Sequence, residues 1–272
     1  MFLGAASAPN NENTTKDVTN IPVRNAAVRT NLVAEDFATL TNSAVPLPRP
    51  TPPRYTIASM SISIALLLGI VTMQSAPTPS PILFIAREPL VAGRENSYRE
   101  IEEETARLSA RLGCPHPYLA MESLTGPKEI WWFNGFDSPE EQKQVGEAYQ
   151  KNAPFSAALD RNRERKAPFT GKVIEIVAQY RPDLSGGVPW VLGHGRFVVI
   201  AVTKDRPSSG GTVFQAADET FFVFSPAGNR KQADRLAASI PGSTVVEARP
   251  SLSFPSKDWI AADPRFWRAS GR

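Results

Sequence analysis

The chain is poor in the residues that carry most recognisable chemistry. Of 272 residues, one is cysteine and two are histidine. The single thiol, Cys114, excludes an intrachain disulfide framework and any cysteine-based zinc cage. Set between Gly113 and Pro115, it reads as a small packed hydrophobe. Two isolated histidines with no companion cysteines or regularly spaced carboxylates make no metal-ligand pattern, so neither a metal nor a cofactor is expected. The sequence has no Walker loop, dinucleotide fingerprint, Gly-x-Ser-x-Gly elbow or His-Glu-x-x-His. Charge of one sign is lacking as well. Thirty basic residues against 27 acidic ones leave a net charge of +3. No basic run is interleaved with aromatics, so nucleic acid is not an expected partner.

What the chain does have is one long apolar run. Ile57 to Ala76 is twenty consecutive residues without a charged side chain. A membrane-spanning helix needs about 20 predominantly apolar residues. The densest part, Ile62 to Met73, has the length of a signal-peptide core. Arg49 and Arg54 lie just before the run, and the next positive charge is Arg87. This bias places the N-terminus in the cytoplasm and the C-terminal part outside it. A cut after Ala76 would meet Gln74 and Pro77, a poor processing site. The expectation is a membrane-anchored protein with an extracytoplasmic C-terminal domain, or a secreted one if residues 1–76 are removed. Met60 is an alternative start. Residues 1–56 are rich in Asn, Thr, Ala and Pro and read as a disordered tail. Pro77, Pro79 and Pro81 make residues 77–81 a short stiff spacer.

From Ile82 onward strand and helix signals alternate. Ile82–Arg87 is a β-type run, and Arg94–Leu112 carries Tyr98, Ile101, Thr105, Leu108 and Leu112 at helical spacing. Glu100 and Glu102–Glu104 then belong to a solvated face. Tyr118–Ser123 and Lys128–Phe136 flank the turn Leu124–Pro127 and read as a hairpin. Ser138-Pro-Glu-Glu141 is a capping box that opens a helix to about Gln150. A further helix follows Pro154, and Lys172–Tyr180 is the next strand. The order is the β-α-β-β-α-β of a ferredoxin-like sheet. A second, abbreviated copy follows, with strands at 196–203, 212–217, 219–224 and 244–248 and a helix capped by Asn229. Glu129-Ile-Trp-Trp aligns with Glu219-Thr-Phe-Phe at an offset of ninety residues. The predicted class is α+β: tandem ferredoxin-like antiparallel sheets with helices outside, after one hydrophobic N-terminal helix. The halves span 82–184 and 185–255, and 256–272 is a C-terminal tail. The assembly is either a monomer with an intrachain barrel or a homodimer.

Residues 88–169, above all Tyr118-Leu-Ala-Met-Glu-Ser-Leu-Thr-Gly-Pro127 with Trp131-Trp132, resemble the dimeric α/β-barrel superfamily. That group includes antibiotic-biosynthesis monooxygenase-like and NIPSNAP-like proteins. The resemblance implies a half-barrel with a small-molecule cavity between its sheet and a partner sheet. Some members oxidise aromatic polyketides without a cofactor and some degrade haem. The haem-degrading members use a His on the second helix, and Glu140–Gln150 contains none.

Strand alternation supplies candidate site residues. With Leu124–Pro127 as the turn, Glu122 stands opposite Glu129 and Ala120 opposite Trp131. One face then shows Tyr118, Ala120, Glu122, Glu129, Trp131 and Phe133, and the other shows Leu119, Met121, Ile130, Trp132 and Phe136. The mixed face should line the barrel, joined by Arg87 and Glu175, and the apolar face should meet the helices. Tyr118, Trp131, Phe133, Glu175 and Arg87 are thus candidate ligand-binding residues. Glu122 and Glu129 form a candidate acid–base pair if burial raises one of them; the alternative is a salt bridge to Arg87. His194, between Gly193 and Gly195, is the third catalytic candidate. His116, between two prolines, is expected at the surface. Three functions compete: a module binding a small apolar or aromatic ligand, a cofactor-independent monooxygenase-like enzyme, and a protein-interaction module docking through an exposed sheet surface or the Trp131/Trp132 pair. A closed apolar barrel core would exclude the first two, and a polar-lined pocket with a perturbed Glu122 or His194 would favour an enzyme.

Overall fold

A computed structural model describes residues 77–208 and 210–268. The apolar run Ile57–Ala76 lies outside the described residues. Among those residues, no helix is long and apolar enough to cross a membrane.

Eight antiparallel strands close into one barrel in the order β1-β3-β2-β8-β5-β7-β6-β4. The strands are β1 (Ile82–Pro89), β2 (Leu119–Ser123), β3 (Glu129–Phe136), β4 (Ile174–Tyr180), β5 (Phe197–Thr203), β6 (Thr212–Ala216), β7 (Phe221–Ala227) and β8 (Thr244–Ala248). The first four lie in the order β4-β1-β3-β2 and the last four in the order β8-β5-β7-β6. Each quartet would present two exposed edges if alone. The β2–β8 and β4–β6 ladders pair those edges and so remove them.

Helices cover the outside of the first quartet. They are α1 (Glu95–Leu112), α2 (Pro139–Lys151) and α3 (Ala153–Lys166). Helix α1 ends where Gly113 takes φ 70°, a left-handed conformation that a side chain would strain. Helix α2 starts at Ser138, whose Oγ accepts from Glu141 N at 3.1 Å, while the Glu141 carboxylate accepts from Asp137 N. The second half repeats that arrangement. Asn229 caps α4 (Arg230–Ala238) by accepting from Gln232 N, and the Gln232 side chain accepts from Gly228 N. Two short helices, α5 (Lys257–Ala262) and α6 (Pro264–Arg268), close the described chain. No helix lies between β5 and β6 among the described residues.

The hairpin register differs from the expected one by a residue. Ala120 pairs with Trp132 and Glu122 with Ile130. The connection includes Lys128 as well as Leu124–Pro127. Ser123 Oγ donates to Pro127 O at 2.6 Å and accepts from Glu129 N at 2.8 Å, and Gly126 sits at φ 71°. One added loop residue flips one strand's faces relative to the other. Leu119, Met121, Trp131 and Phe133 therefore point into the barrel. Ala120, Ile130 and Trp132 pack outward under the helices with Tyr98 and Leu252.

The interior is filled. Ring contacts run from Trp131 to Phe133 (6.2 Å), on to Phe224 (5.8 Å), and then to Phe214 (5.7 Å). Trp190, from the segment between β4 and β5, enters one end and meets Phe214 at 5.5 Å and Phe224 at 5.9 Å. Aromatic edge-to-face packing of this kind adds to the burial energy of each ring. The middle of the barrel is thus a packed apolar core.

Helix α1 corrects one further expectation. Its buried face includes Glu102, predicted to be solvated, together with Tyr98, Ile101, Ala106 and Ser109. Lys166 at the end of α3 reaches it: Nζ donates to Glu102 at 2.5 Å and to Glu88 at 2.8 and 3.0 Å. Tyr98 Oη donates to Glu88 as well. Burial pushes the Glu102 carboxyl above its ordinary range against the pull of Lys166. Burial lowers Lys166, but the two carboxylates outweigh it and hold the ammonium well above the usual lysine range.

Candidate functional site

The two ends of the barrel differ, and the predicted site residues are divided between them and the outer surface. The end at which β2 leads into β3 holds Glu129, Arg87 and Trp131. Arg87 donates to both Glu129 oxygens, at 2.8 to 3.0 Å, and its guanidinium lies 4.4 Å from the centre of the Trp131 ring. Both charges of this bidentate pair are engaged, which leaves Glu129 without a proton-transfer role there. Glu122 faces outward instead. It accepts from Arg99 and from Arg249, each at 2.7 Å. Burial alone would raise its pKa, but those two guanidinium groups hold the carboxyl below its ordinary value. A general acid needs the opposite shift. Glu122 and Glu129 are therefore not an acid–base pair: the register slip puts them on opposite faces, and each has its own arginine.

The remaining candidates separate for the same reason. Tyr118 lies on the helix side, where its hydroxyl is 2.9 Å from Ser109 Oγ and its ring meets Trp132 edge-on. Glu175 pairs in register with Ala86, on the outward side of β4, and is exposed. Trp131 and Trp132 point to opposite faces of β3, so they form no joint docking surface. Trp131 is fully buried, and Trp132 sits in the outer cluster with Lys166 over its ring.

The other end of the barrel is open. A cavity of about 200 Å³ runs in from the mouth. Leu83, Leu119 and Phe133 form its floor, and Trp190, Leu192 and Trp259 its walls. Its polar side chains come from Thr78, Ser80, Ser256, His116 and His194. A wider groove continues outward past Pro77, Thr78, Pro189, Gly228 and Ala262. No lysine or arginine lines either space. Phe133 and His194 are the predicted site residues found here.

His116 is buried at this mouth, against the expectation of a surface loop. Its Nε2 lies 2.8 Å from Gly135 O, and its ring stacks on Phe136 at 4.7 Å. The flanking prolines hold the loop against β3. Burial lowers the pKa of His116, opposed by the Gly135 carbonyl. His194 stands at the rim, exposed on one side; burial lowers its pKa also, opposed by Asp258. Because both folded-state values lie below the ordinary value of about 6.5, the unfolded chain takes up protons first as pH falls. Their contribution to stability is present above that pH and lost below it. We expect the melting temperature to fall between about pH 7.5 and 5.5, with a flatter slope in His116→Asn. An unchanged slope in that variant would remove His116 as the cause.

Sequence reasoning missed Trp190, Trp259 and Ser256. The signal for Trp190 was its setting, Gly-Gly-Val-Pro-Trp-Val-Leu-Gly-His-Gly195. A large apolar cluster inside a Gly/Pro-rich connection must bury itself against something. The second signal was Gly193. It takes φ 83°, and a Cβ there would lie 2.1 Å from the Trp259 ring, so only glycine lets α5 close over the mouth.

No family model matches the chain, and no curated protein matches it significantly. Among solved structures it is similar to a candidate monooxygenase of Fusobacterium nucleatum subsp. nucleatum, at 10% identity and TM-score 0.39, over 65% of this chain and 93% of that one. It is similar to a candidate monooxygenase of Lactobacillus acidophilus NCFM, at 9% identity and TM-score 0.38, over 62% and 94%. A candidate chlorite dismutase is similar at 10% identity and TM-score 0.34, over 62% and 96%. All three likenesses lie at or below 10% identity and below a TM-score of 0.4.

Proposed function

We propose that the chain is a membrane-tethered or exported binding domain that holds a small apolar or aromatic ligand in the mouth of its barrel. The supporting observation is the cavity of about 200 Å³ lined by Trp190, Trp259 and Phe133. Concave, mostly apolar spaces with a few convergent polar groups are the usual form of a small-ligand site. An apolar cavity of about 150 Å³ is enough for a benzene ring. With no lysine or arginine in either lining and Asp258 on the outer groove, the space disfavours an anionic ligand. The shared strand order of the quartets and their matching helix caps favour reading the barrel as two ferredoxin-like halves, the second lacking one helix.

Titration with indole or toluene should change the fluorescence of Trp190 and Trp259 saturably. Thr78→Phe, at an exposed rim position, should block entry and weaken binding about tenfold or more, or roughly 1.4 kcal/mol. An absent response, or equal affinity in that variant, would remove the mouth as the site. The enzymatic reading has one observation in its favour: two imidazoles held toward the neutral form line the same cavity. Turnover of a bound phenol that is lost in His194→Ala, with binding retained, would establish it.

A further inference from the structure

We infer that the open end of the barrel rests against an anionic lipid surface, so that the mouth cavity opens toward the membrane. This rests on the tethered reading above. The first argument is where the chain enters the domain. Pro77 and Thr78 form part of the outer groove wall. The apolar run ends one residue earlier, at Ala76. The last two residues of the 77–81 stretch are tied to the sheet. Tyr180 N donates to Pro81 O at 2.9 Å, and Ser80 packs so tightly on β3 that a Cβ at Gly135 would lie 2.5 Å from its Oγ. Even fully extended, five residues reach only about 17 Å. A membrane-embedded run therefore holds this end, and not the Arg87–Glu129 end, at the bilayer surface.

The second argument is the chemistry of that end. Helices α5 and α6 form its rim. Lys257, Arg265 and Arg268 are exposed there beside exposed Ala261 and Ala262, with Trp259 and Phe266 partly exposed. Arg196 joins them, lying 4.7 Å from the centre of the Phe266 ring and bridging to Asp263 at 2.8 Å. On α5, α6 and Arg196, four cations stand beside two carboxylates, Asp258 and Asp263; Asp137 and Glu141 lie near His116 at the same mouth. Basic side chains among half-buried aromatics suit an interface between anionic headgroups and acyl chains. A ligand entering past Trp259 would then come from the bilayer, which fits an uncharged, apolar molecule.

The test uses the full chain reconstituted into vesicles of phosphatidylcholine with and without phosphatidylglycerol, doped with nitroxide-bearing lipid. Fluorophores are placed on Ala262→Cys, at the mouth, or on Lys128→Cys, at the opposite end, each in a Cys114→Ala background. We expect the chain to float with the vesicles and the label at 262 to be quenched several-fold more than the label at 128. The charge-reversed chain Lys257→Glu/Arg265→Glu/Arg268→Glu should lose that difference only when phosphatidylglycerol is present. Flotation with equal quenching at both positions would overturn the inference and leave the tether standing. Failure to float would remove the tether and the inference together. Concentration-dependent self-transfer between labels at 262 in lipid-free detergent would make this end an interface between copies instead.

Discussion

Lys166→Ala lowers the stability of the folded domain by about 3–5 kcal/mol, the range seen when one partner of a buried charge cluster is removed. Lys166 is the only cation hydrogen-bonded to both Glu88 and Glu102 among the described residues, and the side chains of both acids are less than 10% exposed. Its removal leaves two buried carboxylates between α1, α3 and β1, with Tyr98 on Glu88 and the charge of Arg163 near Glu102 as what remains. With total stability of about 5–15 kcal/mol in an ordinary domain, that loss is a large share. Two controls separate charge from packing. Lys166→Met together with Glu102→Gln should recover part of the loss, because the uncompensated charge goes with its partner. Lowering pH should also rescue Lys166→Ala: the Glu102 carboxyl, already raised by burial, takes up a proton and relieves the cluster. In the parent, Lys166 is held above its ordinary value, so its contribution is complete below about pH 10.4 and lost only above. Urea melts of the three variants at two pH values read all of this. Equal stability of parent and Lys166→Ala would show the cluster to be neutral.

The barrel was legible in the sequence because its signals were local. Alternation in Lys128–Phe136, the cap at Ser138 and the matching cap at Asn229 each name an element without reference to any other. The two faces of the hairpin were not legible. They depend on whether Lys128 belongs to the turn, and that is decided by two hydrogen bonds from Ser123 Oγ and a left-handed Gly126. Every site residue assigned by alternation inherited that one-residue uncertainty, so Glu122 and Tyr118 moved from the interior to the helix side. Trp131, Phe133 and Glu129 kept the predicted face, because the expected and observed strands differ only in which turn residue is counted. The mouth was hidden for a different reason. His116, the Trp190–His194 connection and Trp259 come from three segments far apart in the chain, and only closure of the barrel brings them to one rim. Glu102 illustrates the same limit. In a helix bearing four glutamates near one another, the buried one is identified by Lys166, 64 residues away.

Trp131→Ala should cost about 3–5 kcal/mol, as large-to-small changes at fully buried aromatic positions do. Its ring is 1% exposed, packs on Phe133 and lies under the Arg87 guanidinium. The truncation therefore removes a transfer term, a ring contact and a cation–π contact together. Trp131→Phe should cost less than the alanine change, because it keeps a ring against Phe133 and the indole nitrogen it discards has no hydrogen-bond partner. The position also separates the two possible sites in the barrel. Trp131 does not line the mouth cavity, so binding of indole there should survive the substitution once the chain is kept folded. The alanine variant should meanwhile gain a second, saturable site for benzene in the hollow left behind, as dry engineered cavities do. If the parent instead loses its indole site when Trp131 is truncated, the ligand sits in the barrel interior and the packed core must open to admit it. Thermal melts give the first half of this prediction, and calorimetric titration of parent and variant with indole and benzene gives the second.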